Sequence, residues 1–258
     1  MTSNNGYSIK VLEKAIKVFG LFNYKENAFT LKEIVALTGL SKTTVFRILK
    51  TLERAGFVKY DLTDETYTLG LRFLELGGIV YASLSVRNAA SPYMDRLSQS
   101  LKAVILLGVI RNDQLLYLDK RESDSIIRVS SHIGLKRPPY YGMLGMVMLA
   151  HMETAEIWRL LTTYPPSKIT EKTVTDIDEI IRRLEATRGL GYYIEEDEVI
   201  EGFTGIGVPI MDLSGKVVAA IGATQPTAQL KGTVMEKTIK ELISASRSIS
   251  QELGYIER

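Results

Sequence analysis

The chain is 258 residues long, 45% hydrophobic and 24% charged, with a net charge of +2, two histidines and no cysteine. This length suits two domains with separate cores, the composition argues against extended disorder, and the missing cysteines exclude disulfides and thiolate chemistry. The first residues show no charged and apolar secretion signal, and the longest apolar stretches, 103–110 and 143–150, fall far short of the about 20 residues that span a bilayer, so a cytoplasmic location without a membrane partner is expected.

Ser8 is read as the cap of a first helix, with Leu12, Ala15, Ile16 and Phe19 on one face. Thr30 followed by Glu33 has the form of a capping box, which predicts a helix from Leu31 with Leu31, Ile34 and Val35 on its apolar stripe and Gly39 at its end. Leu40 packs into the corner, and Ser41 caps a second helix. In that helix Val45, Ile48, Leu49 and Leu52 recur at i, i+3, i+4 and i+7, defining one buried face. The opposite face carries Lys42, Thr43, Thr44, Arg47, Lys50, Thr51 and Arg54, with Glu53 the single acid on the helix. Gly56 ends the helix, and two β-prone runs, 57–60 and 67–69, surround a polar turn and predict a hairpin wing.

A helix of this length measures roughly 20 Å and fits a major groove about 12 Å wide. Thr43, Thr44 and Arg47 are assigned to base edges, and Lys42, Lys50 and Arg54 to phosphates, because a forked guanidinium reads guanine while a lysine acts as a point charge. Residues 1–70 hold 10 basic against 7 acidic side chains, and the remainder 22 against 23. That surplus is too small for binding by bulk charge, so the inference rests on its position along one helix. Capping box, glycine turn, basic face, glycine stop and hairpin in this order point to a winged helix-turn-helix and double-stranded DNA as its partner.

Leu71 to Ser85 is read as a linker helix whose apolar residues Leu71, Leu74, Ile79 and Tyr81 serve either its own domain or, equally, a second copy of the chain. Dimerisation fits, since such proteins bind half-sites roughly 34 to 36 Å apart. From Val86 onward strands mix with helices. Helix 86–101 precedes a hairpin of 103–110 and 114–120; a third strand follows at 125–132, then helices at 142–151, 155–162 and 176–188, a second hairpin of 203–211 and 216–224, and a final helix near 234–253. Antiparallel strands with helices on one side or end give an α+β domain. The expected organisation is therefore a DNA-binding domain at 1–70, a linker at 71–85 and a second domain at 86–258.

Helix 142–150 is apolar around its whole circumference, which implies burial of its start as well as its body. The residues ahead of it, Pro138, Pro139, Tyr140 and Tyr141, include none of the usual capping side chains, so its first amides need a distant loop, a water or an anion such as a small carboxylate. The run 195–198 of Glu195, Glu196, Asp197 and Glu198 is either a solvated loop or the source of one pocket carboxylate. No enzyme motif stands. Gly205 and Gly207 lack the third glycine of a dinucleotide loop, Gly215 and Lys216 lack the rest of a phosphate loop, and His132 and His151 form no recognisable triad or closed zinc site. No cofactor or catalytic residue is therefore expected.

The run from Leu31 to Gly56, LKEIVALTGLSKTTVFRILKTLERAG, followed by YTLG at 67–70, resembles the IclR family of bacterial transcriptional regulators. Gly145, Leu149 and Ala150, Gly191 and Tyr192, Glu198, Gly202, Val208 to Ile210, Asp212 and Gly215 extend the resemblance over nearly the whole chain. It implies a GAF-like sensing domain, dimers or dimer pairs (homotetramers) on operator DNA, and a small organic acid as effector. Carried over by position, the pocket comprises Met143 and Leu144, Glu195, Phe203 and Gly205, and Gly222 and Thr224, with Val129 and Arg137 on the same cavity.

Met146, Met143, Glu195 and Gly222 depart from the family pattern and imply a reshaped pocket. Arg137 suits a carboxylate and Glu195 suits ligand hydroxyls, which points to a hydroxylated or sugar-derived acid. Two alternatives stay open: an adaptor whose second domain binds protein, and a small-molecule enzyme.

Overall fold

The computed structural model describes residues 8–83, 85–122 and 131–256. They fall into two compact units, Met1–Ser83 and Leu84–Arg258. In the first, the order is α1 (Lys10–Phe19), β1 (Ala28–Thr30), α2 (Leu31–Thr38), α3 (Lys42–Arg54), β2 (Val58–Asp61), β3 (Thr66–Leu69) and α4 (Arg72–Ser83). The Thr30 side chain accepts from the Glu33 amide while the Glu33 carboxylate accepts from the Thr30 amide, and this reciprocal cap starts α2. Gly39, at φ 66°, turns the chain in the left-handed region, and Ser41 caps α3. Val18, Ile34, Val45, Leu49, Val58 and Tyr67 form the centre of this small core.

Two features differ from the sequence expectation. Ser8 donates its hydroxyl to Glu13, while Ile9 occupies the cap position of α1 without a side-chain bond. The inward face of α1 is also rotated: Val18 is buried with Ala15 and Phe19 against it, whereas Leu12 and Ile16 are exposed. In that orientation Lys17 Nζ donates a hydrogen bond of 2.6 Å to the Thr38 carbonyl. Strand β1 was not anticipated; it pairs with β3, making a three-stranded sheet in the order β1-β3-β2. Phe73 at the start of α4 stacks edge-on against Phe19 and Phe57, with ring centroids 4.9 and 5.2 Å apart, so the helix is anchored to this unit. Farther along α4, Leu74 and Ile79 are exposed, and the Tyr81 side chain lies outside the described residues.

The second unit runs α5 (Ser85–Leu101), β4 (Val104–Arg111), β5 (Gln114–Arg121), β6 (Lys136–Arg137), α6 (Gly142–Ala150), α7 (Thr154–Thr163), α8 (Ile177–Leu190), β7 (Tyr193–Glu196), β8 (Phe203–Met211), β9 (Val217–Pro226) and α9 (Thr233–Glu252). Among the described residues, six strands make an antiparallel sheet ordered β6-β5-β4-β9-β8-β7. Its helices cover both faces rather than one: α5 and α9 bury one side of β4, β8 and β9, and α6 with α8 buries the other. The reason is local to the strands, since β4 and β8 are buried at nearly every position and cannot leave a face in water.

Gly191, at φ 76°, ends α8 in the left-handed region, and the helix, reaching Leu190, runs two residues beyond the 176–188 expected for it. Most of the third strand expected at 125–132 lies outside the described residues, and the short β6 takes the edge beside β5 instead.

Candidate functional site

On α3 the buried positions are Val45, Ile48 and Leu49, which turns Thr43, Arg47 and Arg54 outward. Lys42, Thr43, Phe46, Arg47, Thr51 and Arg54 are exposed along that face. Two residues assigned to DNA from the sequence have other partners. The Thr44 hydroxyl is half-buried and shares the helix cap, 2.9 Å from Ser41 Oγ. Lys50 Nζ lies 2.8 Å from Glu53 Oε2 and 5.7 Å from the centroid of the Tyr60 ring, so its ammonium ties α3 to the wing. Phe46, passed over in the sequence, is the large apolar side chain on the exposed face, 44% accessible.

In the second unit a cavity opens at the start of α6. Every residue of α6 from Met143 to Ala150 is buried, and Tyr141 at its cap position makes no side-chain cap bond. The backbone comes close here because Gly207 and Gly222 carry no Cβ: one at Gly207 would stand 2.8 Å from the Met143 carbonyl oxygen, and one at Gly222 2.8 Å from Met143 Cε. The cavity leaves about 40 Å³ for the centres of water molecules, where a single water needs about 10 to 15 Å³. Of the pocket residues expected from the sequence, Arg137, Met143, Leu144, Glu195, Phe203, Gly205 and Thr224 line it. Gly222 lies beneath the Met143 side chain instead of on the wall, and Val129 is outside the described residues. Leu106, Tyr117, Ser131, Tyr141, Gly142, Val199 and Ile200 complete the lining and were not foreseen.

The polar groups of this cavity are of opposed character. Arg137, on the edge strand β6, sets its guanidinium 4.8 Å from the centroid of the Tyr141 ring, and its buried Nε has no hydrogen-bond partner among the described residues. Glu195 alternates with Tyr193 along β7, so both point inward, and the carboxyl is only 8% exposed. Its Oε1 accepts from the Val199 amide at 3.1 Å, while Oε2 lies 3.5 Å from the position a Gly142 Cβ would take. Burial pushes the Glu195 carboxyl up to about 7, against the pull of the Val199 amide and with the help of Glu198 and Asp197 nearby. Burial likewise raises the Tyr117 hydroxyl to about 12, keeping it a neutral donor or acceptor.

The site therefore brings together a guanidinium, hydroxyls and the start of α6, with one readily protonated carboxyl beside that helix start. His151 lies elsewhere, at the far end of α6, where burial holds its imidazole below the usual range. Among the described residues no three histidine or acidic side chains stand close enough to hold a metal ion, and no helix is long and apolar enough to cross a membrane.

Two family models match the chain: the IclR helix-turn-helix domain over residues 11–62, and the bacterial transcriptional regulator IclR C-terminal domain over residues 79–251. The HTH-type transcriptional regulator KdgR of Escherichia coli (strain K12) is 30% identical over 246 residues, covering 95% of this chain and 94% of that protein. An IclR transcriptional regulator from Alicyclobacillus acidocaldarius superposes with a TM-score of 0.85 at 26% identity, covering 96% of this chain and all of the other. An IclR homologue from Microbacterium hydrocarbonoxydans, solved with 4-hydroxybenzoate, superposes with a TM-score of 0.82 at 26% identity over 94% of this chain and 98% of that one. A helix with an exposed basic face on a winged unit, a cavity inside an α+β unit and full-length similarity to such regulators agree, and the chain belongs to the IclR family of bacterial transcriptional regulators.

Proposed function

We propose that this regulator binds operator DNA in the cytoplasm as a dimer or dimer of dimers, and that a small organic acid held in the second unit controls its affinity for that DNA. The observation carrying the effector reading is the pairing of a half-buried helix start that has no side-chain cap with the Arg137 guanidinium, whose Nε lacks a partner among the described residues. A carboxylate satisfies both, since helix amides and guanidinium groups bind anions by the same charge-assisted hydrogen bonds. Glu195, beside the helix start, accepts from ligand hydroxyls, which favours a hydroxylated acid. The Microbacterium relative holds a hydroxylated aromatic acid, 4-hydroxybenzoate, and extends the same reading to aromatic acids.

For DNA, Thr43 and Arg47 are the base-reading candidates, Lys42 and Arg54 the phosphate contacts, and Thr44 and Lys50 contribute mainly through the cap and the wing. Leu71, Leu74 and Ile79, all more than two-thirds exposed, support pairing of α4 with a second copy. Effector binding needs only to favour one arrangement of paired recognition helices over another to change affinity.

The test is thermal unfolding of the intact protein across a panel of hydroxylated, sugar-derived and aromatic acids, with Arg137→Ala and Thr224→Val in parallel. Stabilisation by an acid that is lost in Arg137→Ala is the expected result. A panel in which no acid raises the melting temperature removes the organic-acid reading.

A further inference from the structure

The hydrophobic residues of α3 divide sharply: Val45, Ile48 and Leu49 enter the core, whereas Phe46 stays outside it and is 44% exposed. At about 100° per residue, Thr43, Arg47, Lys50 and Arg54 fall on one line along the helix, with Phe46 about 60° to the side of Thr43. It occupies the amino-terminal half of α3, the part of such a helix that reaches base edges. Lys42 and Arg47 are exposed around it, and Lys50 Nζ, held by Glu53, is 6.0 Å from its ring centroid. The ring lies outside the buried core and borders a hollow with Leu31, Val35 and Tyr60, and Lys42, assigned to a phosphate, borders the same hollow. With Thr43 at the base edges, a ring about 60° to its side meets the bases from the flank of the helix. The apolar feature that base edges present there is the 5-methyl group of thymine, and aromatic side chains are among those that contact it.

We propose that Phe46 is a specificity-determining residue that sets its ring against a thymine methyl in the operator. The inference rests on α3 being the groove helix. It assigns a role to an apolar side chain in a contact otherwise made of charges and hydroxyls. Because the ring is outside the buried core, its replacement is expected to keep the fold, which circular dichroism checks.

The experiment selects binding sites for the full-length protein from a random duplex library, then replaces each thymine of the enriched site in turn by deoxyuridine, which removes the methyl alone. Affinities are measured for the wild type, Phe46→Leu and Phe46→Ala, with circular dichroism and gel filtration of each variant. The wild type is expected to weaken roughly fourfold at one or two positions, the value of one buried methyl-sized group. Phe46→Leu keeps part of that sensitivity, and Phe46→Ala loses it at the same positions with an unchanged salt dependence. Equal deoxyuridine sensitivity in wild type and Phe46→Ala at every position overturns the proposal. So does a change of oligomeric state in Phe46→Ala, which means the ring is buried against a second copy. Failure to enrich any site from the library is a separate result: it removes the DNA-reading role of α3 itself, and the Phe46 contact with it.

Discussion

The winged unit carries its chemistry outside its own core, and the sheet unit carries its chemistry within its own. In the first, the informative residues are those the core rejects: Thr43, Arg47 and Arg54 face out because Val45, Ile48 and Leu49 face in. In the second, the informative residues are those the core encloses, Glu195, Met143 and the Gly205 and Gly222 backbone among them. An outward site follows from the period of a single helix. An enclosed one exists only when strands distant in sequence come together, so its tolerance to change should be far lower.

The sharpest break of this contrast is Gly145→Ala, because a Cβ there would stand 2.2 Å from the Pro139 carbonyl oxygen. Backbone is met, not a flexible side chain, and a loss of about 3 kcal/mol in the stability of the second unit is expected by chemical unfolding. A melting profile like that of the wild type would show that α6 has slack that the packing does not display.

Arg47→Ala, by contrast, should leave unfolding unchanged while costing roughly 1 to 3 kcal/mol on the preferred operator and relaxing its sequence preference. Equal weakening on every duplex would assign Arg47 to phosphate instead.

Glu195→Gln tests the enclosed site through pH. Its carboxyl titrates near 7 in the folded chain but near 4.5 when unfolded, so between those values the folded state holds more protons and stability falls as pH rises. The stabilisation is complete below about 4.5 and gone above about 7. Replacement by glutamine should flatten this slope and raise stability at pH 8 by on the order of 2 kcal/mol. Parallel pH profiles for the two proteins would mean the carboxyl is better solvated than its burial implies.

Smaller effects separate cap from surface. Thr30→Ala removes the capping box of α2 and should lower the stability of the winged unit by about 1 kcal/mol, read from its own unfolding transition. Lys50→Ala should reduce the salt dependence of DNA binding by less than the about one unit of slope given by a free phosphate contact, because Glu53 already engages the ammonium. A full unit lost would mean the pair opens on DNA.

Legibility followed the same divide. The capping box, the αL glycine and the helix bounds of α2 and α3 were readable because each depends on residues three or four apart. The two long hairpins and the apolar α6 were readable from runs of uniform character. Strands β1 and β6, of three and two residues, were not, being too short for alternation to register. Strand β7 lies in an acidic run, where Tyr193 inward, Ile194 half-buried and Glu195 inward show the period of two only after burial is known. Tyr117, Ser131, Tyr141 and Val199 reach the cavity from separate elements, with no shared spacing to reveal them. The rotation of α1 escaped prediction for a related reason, since Leu12 and Ile16 make as good an apolar stripe as Val18 until the core around Val18 is assembled.

Local spacing alone determined the recognition helix, its caps, its charged face and the all-round burial of α6, because these arise from interactions within a turn or two of chain. Tertiary structure decided which carboxyl is enclosed, which arginine nitrogen lacks a partner among the described residues and which glycines let α6 approach the sheet. Those properties belong to the meeting of β5, β6, β7, β8 and β9 with one helix start, and desolvation acts on a group only once its neighbours have arrived.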